Sequence, residues 1–541
     1  MDTSDRSVPG AWGPPVVVET HSSLIFLCGD EAHKVRKPID LGFLDNRTVG
    51  ARGRQSRREV ELNRRLAPDV YLGVLEVRDP DDDEVLDHVV RMRRLPDRLG
   101  LARLVQDREP GGRRIRDTDV SGGVGEVAGQ IAQLHARSPH PPEIDAAGEP
   151  ETIHGLWTDS LEHLRRLAVG RDAPEIVDDI AALSDTYLRG RGPLLRSRID
   201  AGRIVDGHGD LVAADAYLLP DGPRIIDCLE FDDGLRFGDA MADIGFLAMD
   251  LDRLGARDLA VVLLDSYRAA SGDDAPPSLV HHYLAYRALV RAKVTAIRAE
   301  QADQADKAGQ ADQAGQSGQA GRGEAPAAIA DARLALRLAD TAVDSLLRGR
   351  VRLLLVGGVS GSGKSTLAPA LADLLRAEML RSDVVRLEMR GAAKDTATPA
   401  APVTPGSPAD GYSEAAVDAV YDEMLRRAAE LLGQGRSVVL DATWLQPRRR
   451  TAAETVAADA HAELVEISCT APRDELVRRI TERARRGGDP SEATPRVLDA
   501  QLADLAPWPE ALDVDTTELD TRDPDAVHAW AARELGPLPW A

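Results

Sequence analysis

The sequence is poor in cysteine and in long apolar runs, and each shortage argues against a class of protein. Its three cysteines, Cys28, Cys228 and Cys469, lie far apart, with no C-x-x-C pair and no Cys/His spacing typical of a metal site. This pattern favours a reducing cytosol. No apolar run reaches the roughly 18 residues that span a bilayer, and the N-terminus lacks the apolar core of a signal peptide. We therefore expect a cytoplasmic chain without a membrane-spanning segment.

Positive charge is also scarce. The chain has 67 Lys and Arg against 90 Asp and Glu, a net charge of −23. Duplex binding needs a basic surface, so nucleic acid is not an expected partner. An arginine-rich run at 47–65 is interrupted by Glu59 and Glu61 and is typical of a solvated helix face.

The length of 541 residues predicts more than one domain. We place the boundary just before the apolar strand at 351–356, giving domains 1–348 and 349–541, the first with lobes at about 1–98 and 99–348. The repeats of Gln, Ala, Asp and Gly at 300–326 lack large apolar residues and predict a flexible insert between two helices, 281–298 and 327–347. A second flexible stretch is expected at 391–411.

From residue 350 onward, apolar strands alternate with amphipathic helices, which predicts a parallel sheet with helices on both faces. The expected strands are 351–356, 378–382, 436–441, 462–468 and 512–515. The expected helices are 364–377, 413–433, 446–459, 472–486 and 524–535. Before residue 120 the pattern indicates strands with one clear helix, 53–66. From 120 to 348 it indicates helices, broken by a β-like segment at 203–231.

Residues 358–365, G-V-S-G-S-G-K-S, fit the P-loop pattern G-x-x-x-x-G-K-[ST] between a predicted strand and a predicted helix. In such a loop backbone N–H groups surround phosphate oxygens, the lysine reaches the β- and γ-phosphates, and the hydroxyl after it binds Mg²⁺. We therefore expect ATP and Mg²⁺ at Gly358, Val359, Ser360, Gly361, Ser362, Gly363, Lys364, Ser365 and Thr366.

Two acidic residues lie at the carboxyl ends of predicted strands of this region, Asp383 after 378–382 and Asp441 at the end of 436–441. Ligands of an open parallel sheet sit at the carboxyl ends of its strands. Asp383 is thus placed to orient or deprotonate an acceptor hydroxyl, and Arg386 to hold an anionic substrate; the alternative is an N-capping aspartate with a surface arginine. Asp441 could orient the water shell of Mg²⁺, or simply end its strand.

The predicted helix at 472–486 is rich in arginine. Arg479, Arg483 and Arg486 share one face by their spacing. Arginines on a mobile segment could close over the phosphates and neutralise charge in the transition state; a plain solvated helix is the alternative.

These motifs together, the P-loop, S-D-x-x-R at 382–386, V-V-L-D-A-T at 438–443 and the arginine-rich helix, resemble the small P-loop kinases. That group includes polynucleotide 5′-kinases, zeta-type toxins and gluconate or shikimate kinases. The resemblance implies an α/β P-loop fold and phosphoryl transfer from ATP to a hydroxyl, with Asp383 as the base. It does not name the acceptor.

Upstream, H-G-D-L at 208–211 precedes an apolar segment that ends at Asp227. The pair resembles the catalytic loop and metal-binding segment of aminoglycoside phosphotransferase-like enzymes, which have an α+β fold similar to protein kinases. The resemblance implies that Asp210 accepts the proton of the acceptor hydroxyl and that Asp227 holds Mg²⁺.

The same resemblance extends toward the N-terminus. It implies a phosphate-binding lysine, Lys34 with Lys37 as the alternate, and a helical glutamate that pairs with it, Glu59 with Glu61 as the alternate. Residues 20–23 would lie in the turn that covers the phosphates.

Two positions depart from this family's loop pattern H-G-D-L-H-x-x-N. Val212 replaces the second histidine, and Asp215 stands where the asparagine that binds a second metal is expected. Aspartate is still an oxygen ligand for Mg²⁺. The departures leave two further possibilities open, a degenerate regulatory domain or a purely structural one.

Taken whole, the chain resembles the bacterial proteins described as bifunctional aminoglycoside phosphotransferase and AAA-type ATP-binding fusions. The segments 37–45 and 62–73 are typical of that group. The resemblance implies a small hydroxyl-bearing substrate and leaves the oligomeric state open.

Overall fold

The computed structural model describes residues 15–20, 22–40, 45–108, 119–317, 326–396, 413–486 and 494–540. For 308–317, 392–396 and 486 the description covers the backbone and not the side chains. Within these ranges, every helix is too short or too polar to cross a bilayer.

The strands of the described residues follow in chain order. They are β1 (Val16–Glu19), β2 (Ser23–Cys28), β3 (Glu31–Arg36), β4 (Tyr71–Arg78), β5 (Val85–Arg93), β6 (Ile204–Asp206), β7 (Ala216–Leu219), β8 (Gly222–Ile225), β9 (Phe237–Asp239), β10 (Arg352–Gly357), β11 (Glu378–Arg381), β12 (Val438–Asp441), β13 (Glu463–Thr470) and β14 (Leu512–Asp515).

The α-helices of the same ranges are as follows. They are α1 (Val49–Asn63), α2 (Leu101–Gln106), α3 (Val120–Ala136), α4 (Pro142–Asp145), α5 (Pro150–Arg166), α6 (Ala168–Asp172), α7 (Pro174–Gly190), α8 (Gly192–Asp200), α9 (Ala240–Arg253), α10 (Arg257–Ser271), α11 (Pro277–Ser317), α12 (Pro326–Arg348), α13 (Lys364–Leu375), α14 (Ser382–Thr396), α15 (Glu414–Gly433), α16 (Pro447–Asp459), α17 (Arg473–Arg486), α18 (Pro495–Asp504) and α19 (Pro524–Glu534).

The chain forms two compact units. The first unit is built from residues 1–149 and 198–274, and the second from 150–197 and 275–541. The helices of 150–197 and 275–348, which the sequence analysis placed with the first domain, therefore make most of their contacts in the second unit. The two units are defined by which residues contact one another in space, and they do not test a domain boundary. The boundary at residue 349 therefore stays a prediction.

The first unit opens with an antiparallel sheet in the order β1-β2-β3-β5-β4. Helix α1 contributes Val60 to the apolar core beneath the sheet, which also contains Ala32 and Val90. The helix begins four residues earlier than predicted, because the Thr48 hydroxyl accepts a hydrogen bond from the backbone N–H of Ala51 at 3.2 Å and caps its first turn.

The second unit contains the parallel sheet that the sequence predicted, in the order β11-β12-β10-β13-β14. Alternate residues of β10 face opposite sides, so Leu353 and Leu355 lie in one apolar core and Leu354 and Val356 in the other. The strand is buried on both faces, which is why it reads as a continuous apolar run.

The order of the strands reverses at β10. Strands β11 and β12 lie on one side of it, and β13 and β14 lie on the other. In open parallel sheets, ligands bind at such a reversal, beyond the carboxyl ends of the strands. The P-loop segment leaves β10 at this point.

Two helices extend into the stretches that were expected to be flexible. Helix α11 continues to Ser317, well into the expected insert, and α14, which was not predicted, continues to Thr396. Ala and Gln are good helix formers, and Lys307 binds Asp303 at 2.5 Å one turn away. Residues 318–325 and 397–411, the rest of the two stretches, lie outside the described residues.

Helix α18 was not predicted, although its start signal is present in the sequence. The hydroxyl of Thr494 accepts a hydrogen bond from the N–H of Val497, and Pro495 is the first helical residue. Threonine at the cap followed by proline at the first position is a common way to begin a helix.

Candidate functional site

The P-loop lies between the end of β10 at Gly357 and the start of α13 at Lys364. Gly358, Gly361 and Gly363 have φ angles of 132°, 84° and 94°. A Cβ at Gly358 would lie 2.4 Å from the carbonyl oxygen of Cys469. Only glycine fits these conformations without strain, so the backbone there is shaped as phosphate binding requires.

The other P-loop residues stabilise the loop and the first turn of α13. The N–H of Thr366 donates to the carbonyl of Gly363 at 3.0 Å. Val359 is buried in a small apolar cluster with Leu445 and Leu476. Lys364 and Ser365 occupy the first two positions of α13, the end of a helix that favours anions.

Asp441 ends β12 beside the strand that leads into the P-loop. It pairs in register with Val356 on one side and with Arg381 on the other. Its side chain is buried, and its Oδ2 lies 3.2 Å from Nε of Arg381. The structure therefore places the carboxylate that was predicted to orient magnesium at the carboxyl end of β12. It also adds a guanidinium partner that the sequence analysis missed.

Asp383 and Arg386 lie in the first two turns of α14, directly after β11. Nη1 of Arg386 donates to Oδ1 of Asp383 at 2.7 Å. The two residues, assigned to different roles from the sequence, are thus bonded to each other. Arg386 therefore holds the Asp383 carboxylate in place.

Arg479 of α17 reaches the P-loop. Its Nη1 donates to the hydroxyl of Thr516 at 2.8 Å and to the carbonyl of Gly361 at 3.3 Å. Arg483 lies one turn later, and its Nη2 is buried without a hydrogen-bond partner among the described residues. The side chain of Arg486 is outside the described part. Of the three predicted arginines, Arg479 is therefore the one seen in contact with the loop.

Two residues at the P-loop escaped the sequence analysis. Oε1 of Gln501, on α18, accepts a hydrogen bond from the N–H of Ser360 at 2.8 Å. The hydroxyl of Thr516 donates to the carbonyl of Ser362 at 2.8 Å. Thr516 follows β14, and its place after a strand end was a usable signal; Gln501 carried none.

The first unit brings together three of its predicted site residues. Nζ of Lys34 lies 2.8 Å from Oε1 of Glu59 and 3.1 Å from Oδ1 of Asp227. Burial opposes the charge of Lys34, but Asp227 and Glu59 outweigh it and raise the pKa of the ammonium well above its ordinary value. The Lys34 charge lowers the pKa of Asp227. Both side chains are therefore charged.

Lys37 and Glu61, the alternates for the phosphate-binding lysine and its glutamate, pair with other residues near the surface. Nζ of Lys37 binds the exposed carboxylate of Glu19 at 2.6 Å, and Glu61, 69% exposed, pairs with Arg58. The structure thus pairs Lys34 with Glu59 and leaves the alternates apart from this cluster. In the turn at 20–23, the hydroxyl of Thr20 accepts from the N–H of Ser23 at 3.0 Å; residue 21 is outside the described part.

Arg36 and Glu230 belong to the same cluster and were not predicted. Arg36, also buried, binds Glu59 at 2.5 Å and Glu230 at 2.8 Å. Burial and the neighbouring Glu59 carboxylate raise the pKa of Glu230. Glu59 is fully buried, and its carboxylate binds two cations, Lys34 and Arg36.

The loop that carries Asp210 is anchored through its backbone. The N–H groups of His208 and Gly209 each donate to the buried carboxylate of Asp243 at 2.8 Å. Asp243 is in turn bonded to His135 at 3.0 Å. Burial opposes the charge of Asp243, but these hydrogen bonds outweigh it and lower the pKa of Asp243. Asp210 itself is partly buried.

Asp227 and Asp215 are the metal ligands that the resemblance implies here. Asp227 has φ of 61°, its N–H donates to the Tyr71 hydroxyl at 3.2 Å, and its side chain is 54% exposed. Asp215 is partly buried, and its carbonyl accepts from the N–H of Ile226 at 2.9 Å.

No cluster of three or more acidic, histidine or cysteine side chains suited to a metal occurs in the part of the chain that the structure describes. Mg²⁺ characteristically binds one or two carboxylates together with substrate phosphates. Asp227 and Asp215, and Ser365 with Asp441, carry oxygen ligands of the kind that this way of binding uses.

A family model for the AAA domain, AAA_33, matches residues 353–508. Among solved structures, the chain is similar to a choline/ethanolamine kinase family protein from Mesorhizobium loti. That pair has 15% identity, 63% coverage of this chain, 95% of the other and a TM-score of 0.33. It is also similar to a gluconokinase from Sinorhizobium meliloti 1021, with 18% identity, 34% coverage of this chain, 95% of the other and a TM-score of 0.23.

Among curated proteins, the chain is 39% identical over 516 residues to uncharacterized protein Rv2004c of Mycobacterium tuberculosis (strain ATCC 25618 / H37Rv). The match covers 95% of both chains. An uncharacterized protein of Mycobacterium bovis matches to the same extent. At this identity and coverage, the chain belongs to the same family as these mycobacterial proteins.

Proposed function

We propose that this protein is an ATP-dependent phosphotransferase with two sites, each transferring the γ-phosphoryl group to a hydroxyl of a small molecule. The observation that carries the proposal is the set of residues at the carboxyl ends of three adjacent strands of the parallel sheet. There the P-loop follows β10, Asp441 ends the adjacent β12, and Asp383 follows β11. A phosphate-binding loop with two carboxylates beside it suits phosphoryl transfer.

At this P-loop site, Lys364 and the loop N–H groups would hold the β- and γ-phosphates. Asp383 would take the proton of the acceptor hydroxyl, and the hydroxyl oxygen would form a bond to the γ-phosphorus. The bond between the γ-phosphorus and the β–γ bridging oxygen would break at the same time, so that ADP leaves. Ser365 and Asp441 would hold Mg²⁺, which neutralises charge on the phosphates when bound. Arg479, which contacts the loop, would offset charge that develops in the transition state.

The second site is proposed in the first unit. Support comes from Lys34, held between Glu59 and Asp227 as a phosphate-binding lysine would be. Asp210, on the loop anchored by Asp243, would accept the acceptor proton. Asp227, with Asp215, would hold Mg²⁺.

Two other functions compete with this one. Val212 and Asp215 depart from the phosphotransferase-like pattern, which favours a regulatory first unit that gates an active P-loop site. A polynucleotide 5′-kinase or a zeta-toxin-like kinase of nucleotide sugars fits the P-loop site alone. The net charge of −23 opposes nucleic acid as substrate. A cytoplasmic location remains part of the proposal.

The test is ATP consumption by the full chain across a library of hydroxyl-bearing metabolites, with Lys364→Ala and Asp210→Ala as paired variants. Two sites predict that each variant loses a different set of acceptors. Loss of all activity in Lys364→Ala, with activity intact in Asp210→Ala and Asp227→Ala, would support the gated alternative. Unchanged ATP turnover in both variants would refute the proposal. Labelled oligonucleotide from γ-labelled ATP would support the polynucleotide kinase.

A further inference from the structure

A cavity of about 240 Å³ lies inside the second unit, away from the P-loop. Its walls include Val351 and Glu463, at the amino-terminal ends of β10 and β13. The P-loop follows the opposite, carboxyl end of β10. Residues of α7, α11 and α12 complete the walls, and most of the lining surface is apolar. The cavity is therefore separate from the proposed phosphoryl-transfer site.

Arg191 lines this cavity and carries a buried charge without an acidic partner. The side chain is fully buried. Its Nη1 donates to the carbonyls of Gly190 and Leu432, and its Nη2 to those of Ala460 at 3.0 Å and His461 at 3.2 Å. The fifth donor, Nε–H, has no partner among the described residues. Burial lowers the pKa of this guanidinium, as expected where no carboxylate compensates it.

The cavity wall as a whole has an excess of positive charge. Glu463, the one acidic residue of the lining, is bound to Arg350 at 3.0 Å and to Arg352 at 2.8 Å. The lining thus has two guanidinium groups, Arg191 and Arg350, and one carboxylate, which Arg352 outside the lining also binds. At least one positive charge of the lining is therefore in excess. Buried charges are normally paired, so an anion is the missing partner.

His282 adds a second buried donor without an acceptor. Its Nε2 accepts a hydrogen bond from Nε1 of Trp157 at 3.1 Å. Burial lowers the pKa of His282 to about 3, so at neutral pH the ring is uncharged and its proton sits on Nδ1. That nitrogen is buried and has no partner in the described ranges. Tyr187 stacks on the ring at 4.3 Å.

Unpaired buried donors are rare, because a buried donor without an acceptor destabilises the folded chain. We propose that the cavity binds a small monocarboxylic acid with an aromatic or branched aliphatic body. The carboxylate would supply the acceptor that Arg191 and His282 lack, and the body would pack against Leu183, Leu346 and Val351. A cavity of about 150 Å³ holds benzene, so this one accommodates a single ring with its carboxylate.

The test uses the full chain and isothermal titration with three acids, benzoate, phenylacetate and 3-methylbutanoate. Benzamide is the neutral match for benzoate. At least one acid should bind saturably at one site per chain. Benzamide should bind at least about tenfold more weakly than benzoate, because it has no carboxylate charge to pair with Arg191. Failure of all three acids, or equal binding of benzoate and benzamide, would overturn the proposal.

Two variants locate the site. Thr186 is an exposed residue of α7 that lines the cavity, so Thr186→Trp should fill it and abolish acid binding without unfolding the chain. Thr455→Trp is the matched control: each threonine hydroxyl donates to the carbonyl four residues earlier on an exposed helix face, and Thr455 lies outside the lining. Acid binding retained in Thr186→Trp would place the ligand elsewhere and refute the assignment.

Arg191→Met then tests the charge. It should weaken benzoate at least about tenfold and leave benzamide unchanged; equal weakening of both would show that the arginine acts through packing. The proposal does not depend on phosphoryl transfer. ATP turnover could therefore fail while acid binding holds, or the reverse.

Discussion

Nζ of Lys34 lies 2.8 Å from Oε1 of Glu59, although the two residues are 25 positions apart in the sequence. One lies on β3 of the antiparallel sheet, and the other lies on the buried face of α1. The same carboxylate also binds Arg36. Glu59 thus fixes the position of the lysine against the helix, and Lys34 in turn reaches Asp227.

Lys34→Met tests whether this lysine holds phosphate. In a chain that also carries Lys364→Ala, so that the P-loop is silent, it should weaken binding of a fluorescent ATP analogue at least about tenfold, because one charged phosphate contact is lost. Equilibrium titration measures the change. Lys37→Met is the matched control, and it should bind as well as its parent because Lys37 pairs with Glu19 at the surface. Equal effects of the two changes would contradict the assignment.

Gly363→Ala should disable the P-loop. The residue has φ of 94°, and an added Cβ would lie 2.9 Å from Cγ2 of Thr516. The left-handed conformation alone costs alanine about 1–2 kcal/mol, so the loop should shift and ATP binding there should fall. Gly155→Ala is the control, because nothing lies within 4 Å of its Cβ position on α5. It should leave binding unchanged and stabilise the chain by about 0.5–1 kcal/mol. Normal ATP affinity in Gly363→Ala would show that the loop conformation is not required.

Arg198→Met should destabilise the first unit strongly. Arg198 is buried and binds two buried carboxylates, Asp239 at 2.7 Å and Asp273 at 2.5 Å. Removing the cation takes away the guanidinium that both buried carboxylates share, which costs about 3–5 kcal/mol. Urea denaturation at neutral pH measures the loss. Arg189→Met, at an exposed pair with Asp185, should cost less than about 1 kcal/mol. Similar losses in both variants would show that burial of the triad adds nothing.

His282 should make the stability of the second unit depend on pH. Its pKa is about 3 in the folded chain and about 6.5 when unfolded. Between these values the unfolded state binds the extra proton, so stability should fall as pH drops below about 6.5, by up to about 1.4 kcal/mol per pH unit. Above that value the residue contributes no pH dependence.

Urea denaturation at pH 7.0 and about 5.5 checks this for wild type and His282→Gln, whose amide oxygen can still accept from Trp157. The variant should lose less stability than wild type over this interval. An identical loss would mean that the folded protein protonates His282 as readily as the unfolded chain does.

Predictions that rest on local patterns agree well with the structure. The apolar run at 353–356 lies in the central strand β10, because a strand buried on both faces has a nearly continuous run of apolar side chains. The glycines of 358–363 adopt the positive φ angles that make the loop possible. The pair of Asp383 with Arg386 depends on helix α14, which was not predicted and which brings residues three apart onto one face.

Contacts between distant segments could not be predicted in this way. Arg36 meets Glu230 across 194 positions, and Ser360 meets Gln501 across 141. No periodicity links such pairs, because their distance depends on how strands and helices pack. The same holds for the helices of 150–197 and 275–348, whose contacts place them with the second unit rather than with their sequence neighbours.

The sequence by itself determined the parallel sheet, the P-loop and the identity of most candidate site residues, because these depend on side-chain patterning and backbone freedom over short stretches. Only the tertiary structure decided that Glu59 holds two cations, that Arg381 binds Asp441, and that Arg191 is buried without a carboxylate. Electrostatic pairing acts over a few ångströms in space, and a linear sequence does not record which charges packing brings that close.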